Sequence, residues 1–450
     1  MDFTNQLREL QSQKRIKLFL GANQQNYLYD AYSQNIFPVK KIVGEILSGT
    51  SVSSIECDEK QIHELLDYLL RWDGKINYHE LSETHLTINL SNKCNLNCSY
   101  CYRDKNNKNE MNLEKAFEII DYADKYYKTN NNEIVFTIDM TGESFFDKEK
   151  IEAIYQKIQK YKNHQKMRLW FMSNGTKITE DYIELIRKIP IDPFWISLDG
   201  PKEINNINRK YYDGKSSFND VIDNVKKLQE NKINIKISCV LTKDYPYPDK
   251  LFNYFKTLNA VGIQICPVRN GCAASLGEDD IELVKQSYIK LYEQIYLEIL
   301  KGDFSSVNLL KEDLQMQPIY NLFNRIRQVG RCTWGQEVVV DSKGNMYPCL
   351  YVIGNKKYLL GNIGDKLNAK DILYPITVKD RKKCGSCWAR FLCGGTCHFN
   401  SIISKNSEYE IDDIECELRL LLVTESIKLI IKLMENGADV TTFAKTLNCK

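Results

Sequence analysis

Leu86-Thr-Ile-Asn-Leu90-Ser-Asn-Lys-Cys94-Asn-Leu-Asn-Cys98-Ser-Tyr-Cys101-Tyr102 is the stretch from which the fold can be read. Leu86–Leu90 reads as a strand, and three closely spaced cysteines follow it. Further strand-like runs are expected at Ile134–Met140, Arg168–Met172, Pro193–Leu198, Ile233–Leu241 and Val261–Cys266. Between them lie amphipathic helical runs at Leu113–Tyr127, Lys148–Tyr161, Glu180–Lys188, Asp220–Glu230 and Asp249–Leu258. Strands alternating with helices of this length imply a parallel sheet, because parallel neighbours need a crossover. The expected fold class is therefore α/β, a right-handed series of six closing into a partial (β/α)6 barrel. In such barrels the reacting groups sit on loops after the C-terminal ends of the strands. The three cysteines fall in the loop after the first strand.

Outside this core the texture changes. Residues 1–80 read as a small α+β unit, with short strands at Ile16–Leu20 and Asn26–Asp30 and helices at Ile42–Leu47 and Gln61–Trp72. The barrel is expected over 81–276 and a helical connection over 277–331. A cysteine-rich segment with little helical periodicity spans 332–416, where metal is expected to organise the chain in place of a large apolar core. A helix and tail occupy 417–450. Leu418–Met434 is apolar but carries Arg419, Glu425, Lys428 and Lys432, so a packed helix is expected and not a membrane span.

The net charge of +2 over 450 residues gives no electrostatic case for nucleic acid or an acidic membrane surface. No secretory signal is evident at the N-terminus, and a cytoplasmic location is expected. Fifteen cysteines in such a chain argue for metal and against a disulfide framework. Ten of them fall into compact patterns.

Cys94, Cys98 and Cys101 can hold three irons of a cubane and leave the fourth without a protein ligand. A zinc site with a distant fourth ligand is the alternative, although zinc sites usually show paired two-by-two spacing. The spacing, Tyr100 before the third cysteine and the place after the first strand resemble the radical S-adenosylmethionine (SAM) superfamily. The resemblance implies a [4Fe–4S] cluster whose open iron binds SAM, with reductive cleavage to a 5′-deoxyadenosyl radical. It also implies an electron donor such as flavodoxin or ferredoxin. Met140-Thr-Gly142-Glu143-Ser144 resembles the family's Gly-Gly-Glu-Pro segment, with Thr141 and Ser144 departing from it. There Gly142 and Glu143 would hold the SAM amino group. Ser173-Asn174-Gly-Thr after the third strand and Ser197-Leu-Asp199-Gly after the fourth, with Arg209, resemble further SAM-contacting segments. Taken singly, each of these reads as a turn with glycine where positive φ is needed.

Downstream stand Cys332, Gly344, Cys349, Cys384, Cys387, Cys393, Cys397 and Cys416. Spacing alone leaves zinc open here too. The whole pattern resembles the SPASM extension, which carries two auxiliary [4Fe–4S] clusters in peptide-modifying radical SAM enzymes. Cys332, Cys349 and Cys397 are then implied at auxiliary cluster I, and Cys384, Cys387, Cys393 and Cys416 at auxiliary cluster II. Residues 326–331 hold no further cysteine, so cluster I is expected to keep an iron open for a substrate thiolate, with Cys272 as a remote alternative donor. In anaerobic sulfatase maturases an aspartate follows the Gly-x4-Cys motif. Here Leu350 follows Cys349, and sulfatase maturation is not expected.

Tyr27–Asp30, Asn35–Val39 and the helix from Lys40 resemble the winged-helix-like recognition element of peptide-maturation enzymes, which adds a leader peptide to a sheet edge. The expected function is crosslinking of a ribosomally made precursor peptide through a cysteine thioether, of the sactipeptide or ranthipeptide kind. Carbon–carbon crosslinking is the enzymatic alternative, and a noncatalytic metal-binding peptide scaffold is the alternative from another class. A scaffold has no need for an open iron.

Overall fold

The computed structural model describes residues 3–49, 59–72, 83–103, 105, 109–126, 133–138, 142–143, 147–161, 167–189, 191–268, 271–367, 374–438 and 440. The chain forms two compact units. One comprises Met1–Asn77, Glu278–Arg331 and Thr377–Lys450, and the other Tyr78–Gly277 and Cys332–Ile376.

The first unit begins with helix α1 (Phe3–Ser12) and strands β1 (Ile16–Leu20), β2 (Asn26–Asp30) and β3 (Ile36–Val39). The strands form an antiparallel sheet in the order β1-β2-β3. Helices α2 (Lys41–Ser48) and α3 (Glu59–Leu70) cover it, and Leu7, Leu28, Val43, Ile46, Leu66 and Leu69 close the core. α2 ends where Gly49 adopts φ +77°, the left-handed cap that glycine takes without strain.

The second unit is built on six parallel strands, neighbours in chain order: β4 (Glu83–Ile88), β5 (Glu133–Thr137), β6 (Met167–Ser173), β7 (Ile191–Ser197), β8 (Ile235–Leu241) and β9 (Gly262–Pro267). The intervening helices are α4 (Leu113–Tyr126), α5 (Lys148–Gln159), α6 (Glu180–Lys188), α7 (Lys202–Asn208), α8 (Phe218–Glu230) and α9 (Pro248–Lys256). α5 starts because Asp147 accepts the Lys150 N–H at 3.0 Å. α6 carries Glu180 and Asp181 in its first turn and Arg187 and Lys188 in its last, matching the helix dipole. This is the expected α/β partial-barrel arrangement.

The 332–416 segment departs from its reading as one metal-organised region. Its first part extends the sheet: β10 (Glu337–Val340) pairs in parallel with β4, and β11 (Asn345–Tyr347) and β12 (Gly361–Asn362) follow antiparallel. Val338, Val339 and Val340 are fully buried, so apolar burial organises this stretch. Residues from Thr377 onward belong to the other unit. There α10 (Glu278–Leu300) packs on the helix Asp413–Glu435, and Tyr292 donates to the Leu422 carbonyl at 2.8 Å. Leu418, Leu422, Ile427 and Leu433 are buried on that helix, as expected for a packed one. No described helix is long and apolar enough to cross a membrane.

Candidate active site

The loop after β4 carries Cys94, Cys98 and Cys101. It is braced along its length by the end of α7 and the segment after it. Asn97 N–H donates to Lys210 C=O at 2.7 Å and Ser99 N–H to Asn208 C=O at 3.1 Å, and Leu96 bridges Tyr211. Leu96, Cys98, Tyr100 and Ala274 form an apolar seat, with Cys94, Cys101 and Cys272 packed against it. Cys272 therefore sits beside the first cysteine motif. Burial pushes the Cys98 thiol up to about 11, and the Arg209 guanidinium pulls the other way. Thiols so buried remain protonated near neutral pH unless a metal takes the thiolate.

Two hydrogen-bonded groups flank this loop. In the first, Glu143, 1% exposed, accepts from Ser173 Oγ and from Asn174 N–H, each at 2.6 Å. Asn174 then donates from Nδ2 to Asn95 Oδ1 at 2.9 Å and lies 3.6 Å from Cys94 Sγ. The ends of β5 and β6 are thereby linked to the cysteine loop through side chains picked out in the sequence. Gly142 N–H donates to Ser91 C=O at 3.0 Å and Glu143 N–H to Lys93 C=O at 2.8 Å. A Cβ on Gly142 would stand 1.8 Å from that Lys93 oxygen, so close backbone approach demands glycine here and not a positive φ. Met140, Thr141 and Ser144 lie outside the described residues.

In the second group, Tyr100 donates its hydroxyl to Asp199 Oδ2 at 2.6 Å and accepts from Arg209 Nη1 at 2.9 Å. All three are buried. Asp199 Oδ1 accepts the Val240 N–H at 3.1 Å, and burial raises its pKa against the pull of Arg209. Arg209 Nε is buried without a partner. Ser197 closes β7, half-buried, level with Ser238.

The later cysteines divide between the units. Cys332 and Cys349 belong to the second unit and Cys397 to the first. Cys384, Cys387, Cys393 and Cys416 all lie in the first unit, and the other three all raise the pKa of Cys384. Burial is the largest cause, and it pushes Cys384 up to about 12 and Cys416 to about 11. The charges of the first unit are unbalanced around them. Among its described residues, Arg15, Arg331, Arg381, Arg390 and Arg419 are buried against only three buried carboxylates, Asp30, Asp313 and Glu415. That leaves an excess of two positive charges, and Nε of Arg381, Arg390 and Arg419 lacks a partner. Buried cations require an anion. An oxidised cubane with four thiolates carries roughly two negative charges, so this donor set and its surroundings fit such a cluster.

The sequence profile described as the Radical SAM superfamily matches residues 88–250, the stretch that carries both groups around the cysteine loop. A relative in Methanocaldococcus jannaschii, an uncharacterized protein, is 30% identical over 290 residues, 64% of this chain and 91% of its own. The chain belongs to the radical SAM superfamily. Membership carries a [4Fe–4S] cluster and SAM as cofactors. The cysteine-type anaerobic sulfatase-maturating enzyme of Clostridium perfringens (strain ATCC 13124) is 25% identical over 334 residues, 68% of this chain and 86% of that one. The structure of native anSMEcpe with bound AdoMet and Cp18Cys peptide superposes with a TM-score of 0.63 at 21% identity, over 79% of this chain and 99% of that one.

Arg103 had no place in the sequence reading of the radical SAM motif. Two residues past Cys101 and 8% exposed, it donates to the carbonyls of Asn92 and Leu96 and to the Tyr212 hydroxyl. It closes the cysteine loop from inside. The one available signal was a cation directly after an apolar metal motif.

Proposed function

We propose that this chain is a radical SAM peptide maturase that crosslinks a ribosomally made precursor through a cysteine thioether. The observation that carries the reading is the make-up of the first unit, where a three-stranded sheet with β3 at its edge packs Phe19 and Tyr29 on Trp388, the residue after Cys387. A metal site joined to an open sheet edge suits an extended peptide substrate. Asp30 N–H donates to Asn35 C=O at 3.0 Å, so the next pair along the ladder, Tyr29–Ile36, turns the Ile36 N–H and C=O outward. Pro38, two residues on, lacks a donor where the ladder needs none. The relatives support a peptide substrate. One is named for maturing sulfatases, and the anSMEcpe structure holds a peptide. Leu350, half-buried after Cys349, turns the reading away from sulfatase maturation itself.

In this reading Cys94, Cys98 and Cys101 hold the SAM-binding cluster, and Cys384, Cys387, Cys393 and Cys416 hold auxiliary cluster II. Cys332 and Cys349 of the second unit serve as auxiliary-cluster ligands with an iron open for a substrate thiolate, and Cys397 is a cluster ligand of the first unit. Bound SAM and its cluster would supply a 5′-deoxyadenosyl radical, with electrons from a flavodoxin or ferredoxin. The chain's own part is to bind and orient. Glu143, set by Ser173 and Asn174, presents a carboxylate to the SAM amino group, with Gly142 holding the backbone close beneath it. Tyr100, Asp199, Arg209 and Ser197 line the nucleoside side. Buried as they are, Glu143, Tyr100, Asp199 and Arg209 would exclude water from a radical that water-borne reductants would quench.

The test is anaerobic turnover with a short cysteine-bearing precursor peptide. The expected product lacks two hydrogens per crosslink and has cysteines that no longer alkylate. A crosslinked product whose cysteines all remain alkylatable would redirect the reading to carbon–carbon bonds. Leader binding is read separately with Ile36→Pro, which removes one outward N–H and should weaken affinity by roughly two- to tenfold. Unchanged affinity excludes the β3 edge.

A further inference from the structure

Tyr29 lies on β2, the middle strand of the N-terminal sheet, and is fully buried. Its ring meets Trp388 edge-on with centroids 6.1 Å apart, and Trp388 directly follows Cys387. Phe19 of β1 meets the same indole at 5.9 Å. Packing therefore fixes the ring, and Cys387 and Cys393 are among its titratable neighbours. Yet the Tyr29 hydroxyl has no hydrogen-bond partner. A buried phenol ordinarily has one. Asp30, the next residue, is already engaged by Arg15 Nε at 3.0 Å and Ser33 N–H at 2.9 Å. Besides Asp30, the titratable groups acting on Tyr29 are Cys387, Arg390 and Cys393, and of these only the sulfurs can accept a hydrogen bond.

We infer that the Tyr29 hydroxyl donates a hydrogen bond to sulfur of the cluster held by Cys384, Cys387, Cys393 and Cys416, and so raises that cluster's reduction potential. The inference rests on the reading of these four cysteines as cluster ligands. The reduced cluster carries one more negative charge than the oxidised one, so a donor at sulfur stabilises it more. Burial, with Asp30 and the thiols beside it, pushes the phenol's pKa upward, so Tyr29 keeps the proton it donates. The sheet proposed to receive the peptide thus contributes directly to the redox environment of the cluster.

An anaerobic redox titration of the loaded enzyme followed by electron paramagnetic resonance tests this. Tyr29→Phe keeps the ring and its contact with Trp388 and removes only the donor. At the wild-type midpoint, the reduced-to-oxidised ratio of this cluster should fall roughly three- to tenfold, a tenfold change being about 59 mV for one electron. Iron content and the potential of the SAM-binding cluster should not change. With 3-fluorotyrosine at position 29, a stronger donor of similar shape, the potential should move the opposite way. Tyr32→Phe, whose ring packs against Phe391 at 5.8 Å in the same core, should leave it where it was. An unmoved potential in both position-29 proteins at full iron loading overturns the role of Tyr29. Wild-type protein that takes up only about four irons overturns the cluster reading beneath it, which is a separate result.

Discussion

Gly142→Ala tests the candidate site at its tightest point. The added Cβ would lie 1.8 Å from the Lys93 carbonyl oxygen, 2.5 Å from its carbon and 2.7 Å from the Asn92 carbon. All three are backbone atoms, so no side chain can turn aside. Relieving the first contact to an ordinary 3.4 Å needs about 1.6 Å of movement between the cysteine loop and the segment carrying Glu143. Movement of that size breaks the hydrogen bonds from Gly142 to Ser91 and from Glu143 to Lys93. Two such bonds at about 1 kcal/mol each, with about 1–3 kcal/mol of overpacking, total about 3–5 kcal/mol. A domain stable by about 5–15 kcal/mol survives this but melts lower, by roughly 6–20 °C for a unit of this size. Function should suffer more than stability, because a misplacement of about 1 Å at a reacting centre costs on the order of a hundredfold in rate. The assay pairs thermal melting with anaerobic 5′-deoxyadenosine production at saturating SAM. A variant that melts with the wild type and makes 5′-deoxyadenosine at the wild-type rate would refute the argument that backbone contact fixes this residue.

Glu143→Gln leaves either the Ser173 hydroxyl or the Asn174 N–H without its acceptor, a loss of about 2–3 kcal/mol in a buried site. Titration calorimetry should show SAM binding weakened roughly thirty- to hundredfold, and unaltered affinity would separate the carboxylate from the ligand. Cys384→Ser should lower anaerobically reconstituted iron from about twelve to about eight per chain. Iron held at the wild-type count would remove Cys384 from the ligand set. Because burial raises Cys384 to about 12 and Cys416 to about 11, both are protonated at pH 8, and transfer of a preformed cluster into that site in weakly buffered solution should release at least those two protons. Release of one or none would mean that the thiols are not the ligands. Arg390→Met removes the bonds from Nη2 to the carbonyls of Gln13, at 3.0 Å, and Lys14, at 2.8 Å. Hydrogen exchange should then quicken across β1 and β2, while 5′-deoxyadenosine production stays at the wild-type rate.

Much of the barrel was legible because its signals are local. Each of the six strands is a short apolar or β-branched run, and the longer helices between them keep their period without a partner, whereas the short polar α7 does not and was missed. The cysteine loop was legible for a related reason: three ligands within eight residues need no tertiary information. Glu143, Ser173 and Asn174 could be picked out singly, but their mutual bonds span about thirty residues and emerge only in the structure. β10 was missed because Glu337–Val340 is four residues long and pairs with β4 some 250 residues earlier. No local period announces such a partner. Gly142 was read as a turn glycine, whereas the Lys93 carbonyl is the actual constraint, and that contact comes from a different loop. The unpartnered hydroxyl of Tyr29 was hidden for the same reason.

The buried arginines bear on the order of events in the first unit. Arg381 donates to Thr396, to Ser401 Oγ at 2.8 Å and to the Glu410 carbonyl, and Arg419 donates to the Cys393 carbonyl. They therefore hold the backbone on which the cysteines stand. Moving five guanidinium groups into the interior against three carboxylates carries a penalty of several kcal/mol for each uncompensated ion. Neutral thiols offset none of it, whereas four thiolates around a cube supply the missing negative charge. In the proposed reading, closure of this core and insertion of the cluster form a single thermodynamic event. The N-terminal sheet is part of that event, because Arg390 and Trp388, which flank the cysteines in sequence, are the groups that hold α1, β1 and β2. Under the proposed coupling a chain without the cluster would also lack a firm edge for a peptide, which would confine recognition to enzyme already equipped for the reaction.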